Sequence, residues 1–260
     1  MSSQSSHLDR VRDDTAYAGI LAGWDAAFYR KFTEALHPGK DGGRVLDVGC
    51  GVGQVVVTLA GEGIDAWGVD VAKANIDRAS KATDRCLWYD GRRLPFNDGE
   101  FATVGALNVL EHVEDPEAFV ADVVRVTRPG GKIVLSSPNF LRALGWRDYH
   151  PRMRGLGNKW RNALALLGRR RRMRTAPETV RFERMTPIIK TPFTPDDDAI
   201  VCTNALDMAF FLERNGCVVE SVACTDRVVS PLVDAVLNAS PLRYAMFNAF
   251  VVARKPVGRR

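Results

Sequence analysis

The run Arg44-Val45-Leu46-Asp47-Val48-Gly49-Cys50-Gly51-Val52-Gly53-Gln54 sets the reading of the whole chain. A short apolar strand ends in an acid and breaks into three alternating glycines. Glycine tolerates positive φ and has no Cβ, so such a turn lets a ligand come close to the backbone. A helix starting there also points its first N–H groups at that ligand. The pattern implies a nucleotide-like ligand at the first strand–helix turn of an α/β sheet.

The residues around the glycines narrow the ligand. A dinucleotide loop reads G-x-G-x-x-G and receives a pyrophosphate. Here the glycines fall as G-x-G-x-G, and Gln54 stands at the third position of that pattern. Asp47 lies in the mouth of the turn, where a carboxylate repels a pyrophosphate and favours positive charge. Asp70 closes the next apolar run, twenty-one positions after Gly49. An acid there can bond a ribose hydroxyl pair in either ligand class.

Downstream of the loop, short apolar runs alternate with helical periodicity. Strands are expected over 45–48, 64–69, 86–89, 101–107 and 132–136, and helices over 54–60, 72–82 and 115–128. Proline at Pro116 suits a first helical turn, and Pro129-Gly130-Gly131 reads as a turn. A helix over 205–215 and strands over 218–225 and 246–254 follow. This rhythm predicts a doubly wound, Rossmann-like α/β sheet with its ligand crevice beyond the carboxyl ends of the strands. Asp47, Asp70, Asp90 and Asn108 all fall at such ends.

At these residues the chain resembles the class I S-adenosylmethionine-dependent methyltransferases. The D-x-G-x-G-x-G loop at Asp47 to Gly53, Asp70, and Asp90 as a third acid match that family. So do Leu94-Pro95-Phe96, Phe101, Leu110-Glu111-His112-Val113, Asp115-Pro116 and Arg128-Pro129-Gly130-Gly131, in order and spacing. The resemblance is close over about residues 40–140 and nearest to the quinone-biosynthesis and sugar O-methyltransferases. It implies seven strands with the last antiparallel, and S-adenosylmethionine as cofactor. The implied cofactor set is Asp47, Gly49, Gly51, Gly53, Asp70, Val71, Asp90, Gly91 and Asn108, with Tyr17 on an N-terminal helix closing over it. Within the set Gly49 and Gly51 are expected to line the methionine portion, and Gly53 to matter more for close helix packing.

Catalysis narrows to two histidines. His112 can titrate near neutrality and take a hydroxyl proton, or cap its loop. His150, in Asp148-Tyr149-His150-Pro151-Arg152, lies where relatives place acceptor-contacting loops, and is otherwise solvated. Some quinone methyltransferases bind a divalent metal through Glu-x-x-Glu-His. Asn108, Glu111 and His112 stand at those positions, so the first carboxylate is missing and no metal is expected.

Bulk properties separate the insert from the core. The 260 residues are 46% hydrophobic, ordinary for a globular protein, and no window reaches about 18 consecutive apolar residues. The polar start Met1-Ser-Ser-Gln-Ser-Ser has no apolar signal core. Five cysteines without a C-x-x-C pair read as reduced thiols. The expectation is a cytoplasmic protein. Net charge is +5, yet Arg142 to Arg174 alone carries +10, leaving the rest at −5. A nucleic-acid binder basic throughout would not show this split. Within the insert a short helix over 158–167 is expected beside the Arg169–Arg172 run. Such a run is ordinarily solvated; the amphipathic stretch beside it suits peripheral membrane contact or an anionic acceptor.

The chain thus divides into an N-terminal tail with cap helices (1–39), a cofactor-binding core (40–139), a basic insert or lid after the fifth strand (140–200) and the C-terminal part of the core sheet (201–260). The function expected is methyl transfer by in-line displacement to a small-molecule, sugar or lipid-linked acceptor, most simply at oxygen. An RNA methyltransferase and a non-catalytic scaffold on the same fold are the alternatives.

Overall fold

The computed structural model describes residues 26–40, 42–145, 148, 150–188, 196–225, 231–246 and 248–258. Tyr17 and most of the expected N-terminal cap lie outside them. In chain order the described elements are α1 (Ala26–Leu36), β1 (Val45–Val48), α2 (Gln54–Gly61), β2 (Ala66–Asp70), α3 (Lys73–Ala79), β3 (Cys86–Trp88), β4 (Phe101–Leu107), α4 (Pro116–Val126), β5 (Thr127–Pro138), α5 (Gly155–Thr175), α6 (Ala205–Arg214), β6 (Val218–Thr225), α7 (Pro231–Asn238) and β7 (Asn248–Arg254). Short 3-10 turns occupy Leu110–His112, Pro151–Met153, Pro177–Thr179 and Pro241–Ala245. The seven strands are ordered β3-β2-β1-β4-β5-β7-β6, and the last strand runs antiparallel as expected.

Two compact units divide the chain. One holds the described residues through Val109 with Ala118–Val134 and 254–258; the other holds Leu110–Glu117 and Leu135–Ala253. In the first, β1 is fully buried and pairs in parallel with β2 and β4. A strand covered on both faces must be apolar along its length. Val45, Leu46 and Val48 meet that requirement and Asp47 breaks it. Asp47 is flanked in register by Gly68 on β2 and Gly105 on β4. A Cβ on Gly68 would lie 2.7 Å from the Cys50 side chain, and one on Gly105 2.4 Å from Leu36 of α1.

Strand β5 is longer than the expected 132–136 and takes in the segment read as a turn. Gly130 N–H donates to the Lys255 carbonyl (2.7 Å), and Lys255 N–H donates to Gly131 O (2.9 Å). A partner over a hundred residues away thus ties Pro129-Gly130-Gly131 into the sheet, although Gly130 keeps a turn-like φ of 76°, and local turn chemistry cannot reveal that pairing.

In the second unit α5 runs for 21 residues, well past the expected 158–167. Arginine is a good helix former, and the Arg169–Arg174 stretch simply continues the helix. One of these arginines is not solvated. Arg169 is buried and makes a two-pronged bond to Asp207 of α6, Nε to Oδ1 at 2.8 Å and Nη2 to Oδ2 at 2.5 Å. Asn204 caps α6 by accepting from Asp207 N–H (2.9 Å), and its amide donates to Asp207 Oδ2 (2.8 Å). Helix α7 and the turn after it were not expected at all. Cys50, Cys86, Cys202 and Cys217 are free and buried.

Candidate functional site

The glycine loop is fastened to the end of β2 through its own backbone. Gly49 and Cys50 N–H both donate to Val69 O, at 2.7 and 3.0 Å, and Gly51 N–H donates to Asp70 Oδ2 at 2.9 Å. Gly49, Gly51 and Gly53 all adopt positive φ, at 74°, 54° and 81°. At Gly49 the absent Cβ matters twice, because it would also lie 2.3 Å from Val109 Cγ2. A Cβ on Gly53 would press on Cys86 Sγ and Ala79 Cβ, at 3.0 and 3.2 Å. Gly53 therefore faces protein and serves close packing.

Asp70 is buried, and its Oδ1 accepts from Ala72 N–H (2.8 Å) and Asn75 Nδ2 (3.2 Å). These bonds fix the carboxylate at the β2 end while it braces the loop. Asp47 is buried beside it. Burial holds the Asp47 carboxyl well above the ordinary range, and Cys86 and Asp70 push the same way. Burial likewise raises Asp70 against its hydrogen bonds. Two adjacent buried acids fit a ligand that brings positive charge. Tyr29 of α1, missed by the sequence reading, lies near Asp47; burial and then Asp47 hold its hydroxyl protonated.

The remaining expected cofactor residues line strand ends of the same unit. Val71 follows Asp70, and its carbonyl accepts from Trp88 Nε1 (2.9 Å). Asp90 is exposed and its Oδ1 accepts from Arg92 N–H (3.0 Å), with Gly91 between them at φ 81°. Asn108 turns the chain off β4 at φ 54°, a left-handed conformation that asparagine tolerates better than most side chains.

The second unit holds a cluster of titratable side chains around Glu111 and His112. Glu111 is completely buried. Its Oε2 accepts from Ser137 Oγ (2.8 Å), Oε1 has no hydrogen-bond partner, and its carbonyl accepts from Ile200 and Val201 N–H. Burial pushes its carboxyl up to about 7, with His112 pulling the other way. His112 Nδ1 lies 3.5 Å from Asp198 Oδ2, and Nε2 lies 4.0 Å from Glu111 Oε1. Burial lowers the affinity of the ring for a proton, but Asp198, Glu111 and Asp196 outweigh it and hold His112 above its ordinary value. Glu111, His112 and Asp196 each offer a donor atom within 4.8 Å of the others. The expectation of no metal rests on Asn108 lacking a carboxylate; the fold supplies a third donor from Asp196 instead. An oxygen, oxygen, nitrogen set with one unbonded buried oxygen fits a divalent cation.

His150 differs from expectation. It is buried rather than exposed on a loop, with its ring edge on Phe140 at 5.0 Å between centroids. Its Nδ1 caps the 3-10 turn after it by accepting from Arg152 N–H (3.2 Å). That bond commits the Nδ1 lone pair a base would use, whereas His112 sits among acids.

A family model described as a methyltransferase domain matches residues 21–172, more than half of the chain and all of the glycine-loop unit's first four strands. The chain belongs to this family. Its members of class I, to which the chain is assigned, use S-adenosylmethionine as cofactor. An uncharacterized methyltransferase of Mycobacterium sp. (strain JLS) is 38% identical over 139 residues, 52% of this chain and 55% of that protein. The ubiquinone biosynthesis O-methyltransferase of Maricaulis maris (strain MCS10) is 37% identical over 106 residues, 38% of this chain and 42% of that one. The chain spans about half the length of the curated relatives it matches. An S-adenosylmethionine-dependent methyltransferase from Mesorhizobium loti shares the fold with a TM-score of 0.55 at 18% identity, over 88% of this chain and 99% of that one.

Tyr29 in the first unit and the acids Asp196 and Asp198 in the second escaped the sequence reading. The latter stand in Asp196-Asp197-Asp198, a triple acid in a proline-rich stretch. Such a run inside an otherwise basic insert was the available signal.

Proposed function

We propose that this chain transfers the methyl group of S-adenosylmethionine to a small-molecule acceptor, most simply at a hydroxyl oxygen. The observation that carries the reading is the pair of buried acids, Asp47 and Asp70, at a backbone loop of three left-handed glycines. The bound cofactor supplies a methyl group already activated on a sulfonium. Asp47 balances positive charge in a place where no solvent can. Asp70 holds Gly51 N–H and sets the loop, leaving a carboxylate at the strand end for ribose hydroxyls. Alignment of the reacting atoms then contributes most of the acceleration.

A hydroxyl acceptor must lose a proton. His112 is the first candidate to take it, and the acids around it would steady the charge it gains. Glu111, with a carboxyl titrating near neutrality, is the group that would set how readily His112 does so. A divalent ion held by Glu111, His112 and Asp196 would instead lower the pKa of a bound hydroxyl. Selection of the acceptor belongs to the insert over 140–200, whose basic character favours a phosphate-bearing or lipid-linked molecule. The resemblance to the Maricaulis O-methyltransferase supports oxygen as the atom methylated.

Calorimetry with S-adenosylhomocysteine tests the reading. Binding at low micromolar concentration that weakens at least tenfold in Asp47→Asn supports it; no binding at high micromolar concentration leaves a scaffold. Turnover with a catechol or hydroxyquinol panel before and after dialysis against EDTA then separates a histidine base from a metal site.

A further inference from the structure

Helix α5 has two faces, and the fold uses one. Asn162, Leu166 and Arg169 recur at helical spacing and are buried. The Asn162 amide donates to the carbonyls of Arg142 (2.9 Å) and Arg152 (3.1 Å). Leu166 packs in a cluster with Phe140, Leu141, Met153 and Cys202, and Arg169 is held by Asp207. On the opposite side Leu156, Trp160, Leu164 and Leu167 form a second stripe at intervals of four, four and three residues. These four side chains are 77, 71, 64 and 66% exposed. A water-facing stripe of this size on a helix already anchored by its other face signals a contact surface.

The charge on the same helix selects the contact. Between Gly155 and Thr175 there are seven lysines and arginines and no acid. At 100° per residue, Arg171 and Arg174 continue the apolar stripe, while Arg161 and Arg170 flank it. Beside Leu164 an open groove of about 590 Å³ is lined by Arg161, Arg169, Arg172, Arg181 and Glu183. Arg169 and Glu183 are paired within it, at 3.7 Å, and Arg161 and Arg172 are exposed. Two such surfaces would repel each other, which argues against a second copy of the chain as the occupant. No described helix is long and apolar enough to cross a membrane. A helix with an exposed leucine and tryptophan stripe bordered by arginines is suited to lie in the plane of a lipid surface.

We propose that α5 docks this protein on an anionic lipid surface, with Leu156, Trp160, Leu164 and Leu167 entering the headgroup boundary and the arginines of its C-terminal half meeting lipid phosphates. Helix α7 extends the case within the same unit. Its Leu232 and Val236 are 75 and 62% exposed, and both helices pack on the 3-10 turn at Pro241–Ala245. The inference names a partner for the insert and does not depend on methyl transfer.

Flotation of the full chain with vesicles tests it, without cofactor or acceptor. Binding to vesicles of 70% phosphatidylcholine and 30% phosphatidylglycerol is expected to exceed binding to pure phosphatidylcholine at least tenfold. Each cation near such a surface contributes roughly fivefold, so R171E/R174E should lower binding at least tenfold. W160S/L164S should abolish it, with the thermal midpoint within a few degrees of wild type because these positions are exposed. Brominated lipids should quench Trp160 fluorescence, read against W160F. No preference for the anionic vesicles, or unchanged binding in W160S/L164S, overturns the proposal. So does a dimer in solution that W160S/L164S dissociates, or a 30-nucleotide RNA that outcompetes the vesicles. Because the readout is lipid binding alone, its failure leaves the methyltransferase reading standing, and failure to bind S-adenosylhomocysteine leaves this one standing.

Discussion

Arg169 and Asp207 join helices α5 and α6 by two parallel hydrogen bonds, with the Asp207 carboxylate wholly buried, and Arg169 Nη2 also donates to the Arg181 carbonyl at 2.7 Å. Removing one partner strands a buried charge, which costs about 3–5 kcal/mol. Arg169→Ala and Asp207→Ala should each lose that much in urea unfolding. The neighbouring Arg170→Ala should stay within about 0.5 kcal/mol of wild type. Equal, small effects at Arg169 and Arg170 would mean the bond is not formed in solution.

Asp47 is expected to oppose stability and favour binding. Its carboxyl is held above its unfolded value, so stability is lost as pH rises through the folded pKa. At pH 7.5 Asp47→Asn should therefore raise the unfolding free energy of the free protein by about 1–2 kcal/mol. The same substitution should weaken S-adenosylhomocysteine binding. Thermal melts with and without the ligand read both effects in one experiment.

Gly49→Ala should fail for two separable reasons, the left-handed backbone and the contact with Val109. Adding Val109→Ala removes the contact only. The double variant should regain about 1–2 kcal/mol of the loss while remaining less stable than Val109→Ala, since a side chain at φ 74° still costs about 1 kcal/mol. Full recovery would show the backbone conformation to be unimportant.

Glu111 gives the methyltransferase a pH signature. A carboxyl pushed up to about 7 binds a proton more tightly folded than unfolded. Its contribution to stability is complete below about 4.5 and is lost as pH rises to about 7. His112, also held high, acts in the same direction above about 6.5. Unfolding in urea at pH 5 and pH 8 should show wild type losing about 2 kcal/mol more than Glu111→Gln across that interval. A parallel pH dependence in the two proteins would rule the shift out.

Much of the cofactor loop could be read from the chain because local rules govern it. Glycines at positive φ, an acid at a strand end and the parallel alternation all act over a few residues. What escaped depends on distant partners. The extension of β5 through Pro129-Gly130-Gly131 needs Lys255, the burial of Arg169 needs Asp207, and the place of Asp196 beside His112 joins residues far apart in the chain. An arginine inside a basic run carries no sign of its own that one member will be enclosed. His150 shows the converse, for a histidine before proline is as good a cap as a base, and Arg152 N–H decides between them.

The anchoring of α5 by Asn162, Leu166 and Arg169 leaves most of its outward positions without a structural duty. The helix can therefore be rewritten on that side as a cassette. Exchanging the exposed leucines, tryptophan and arginines for another surface should redirect where the protein is held, with the fold and the cofactor loop untouched.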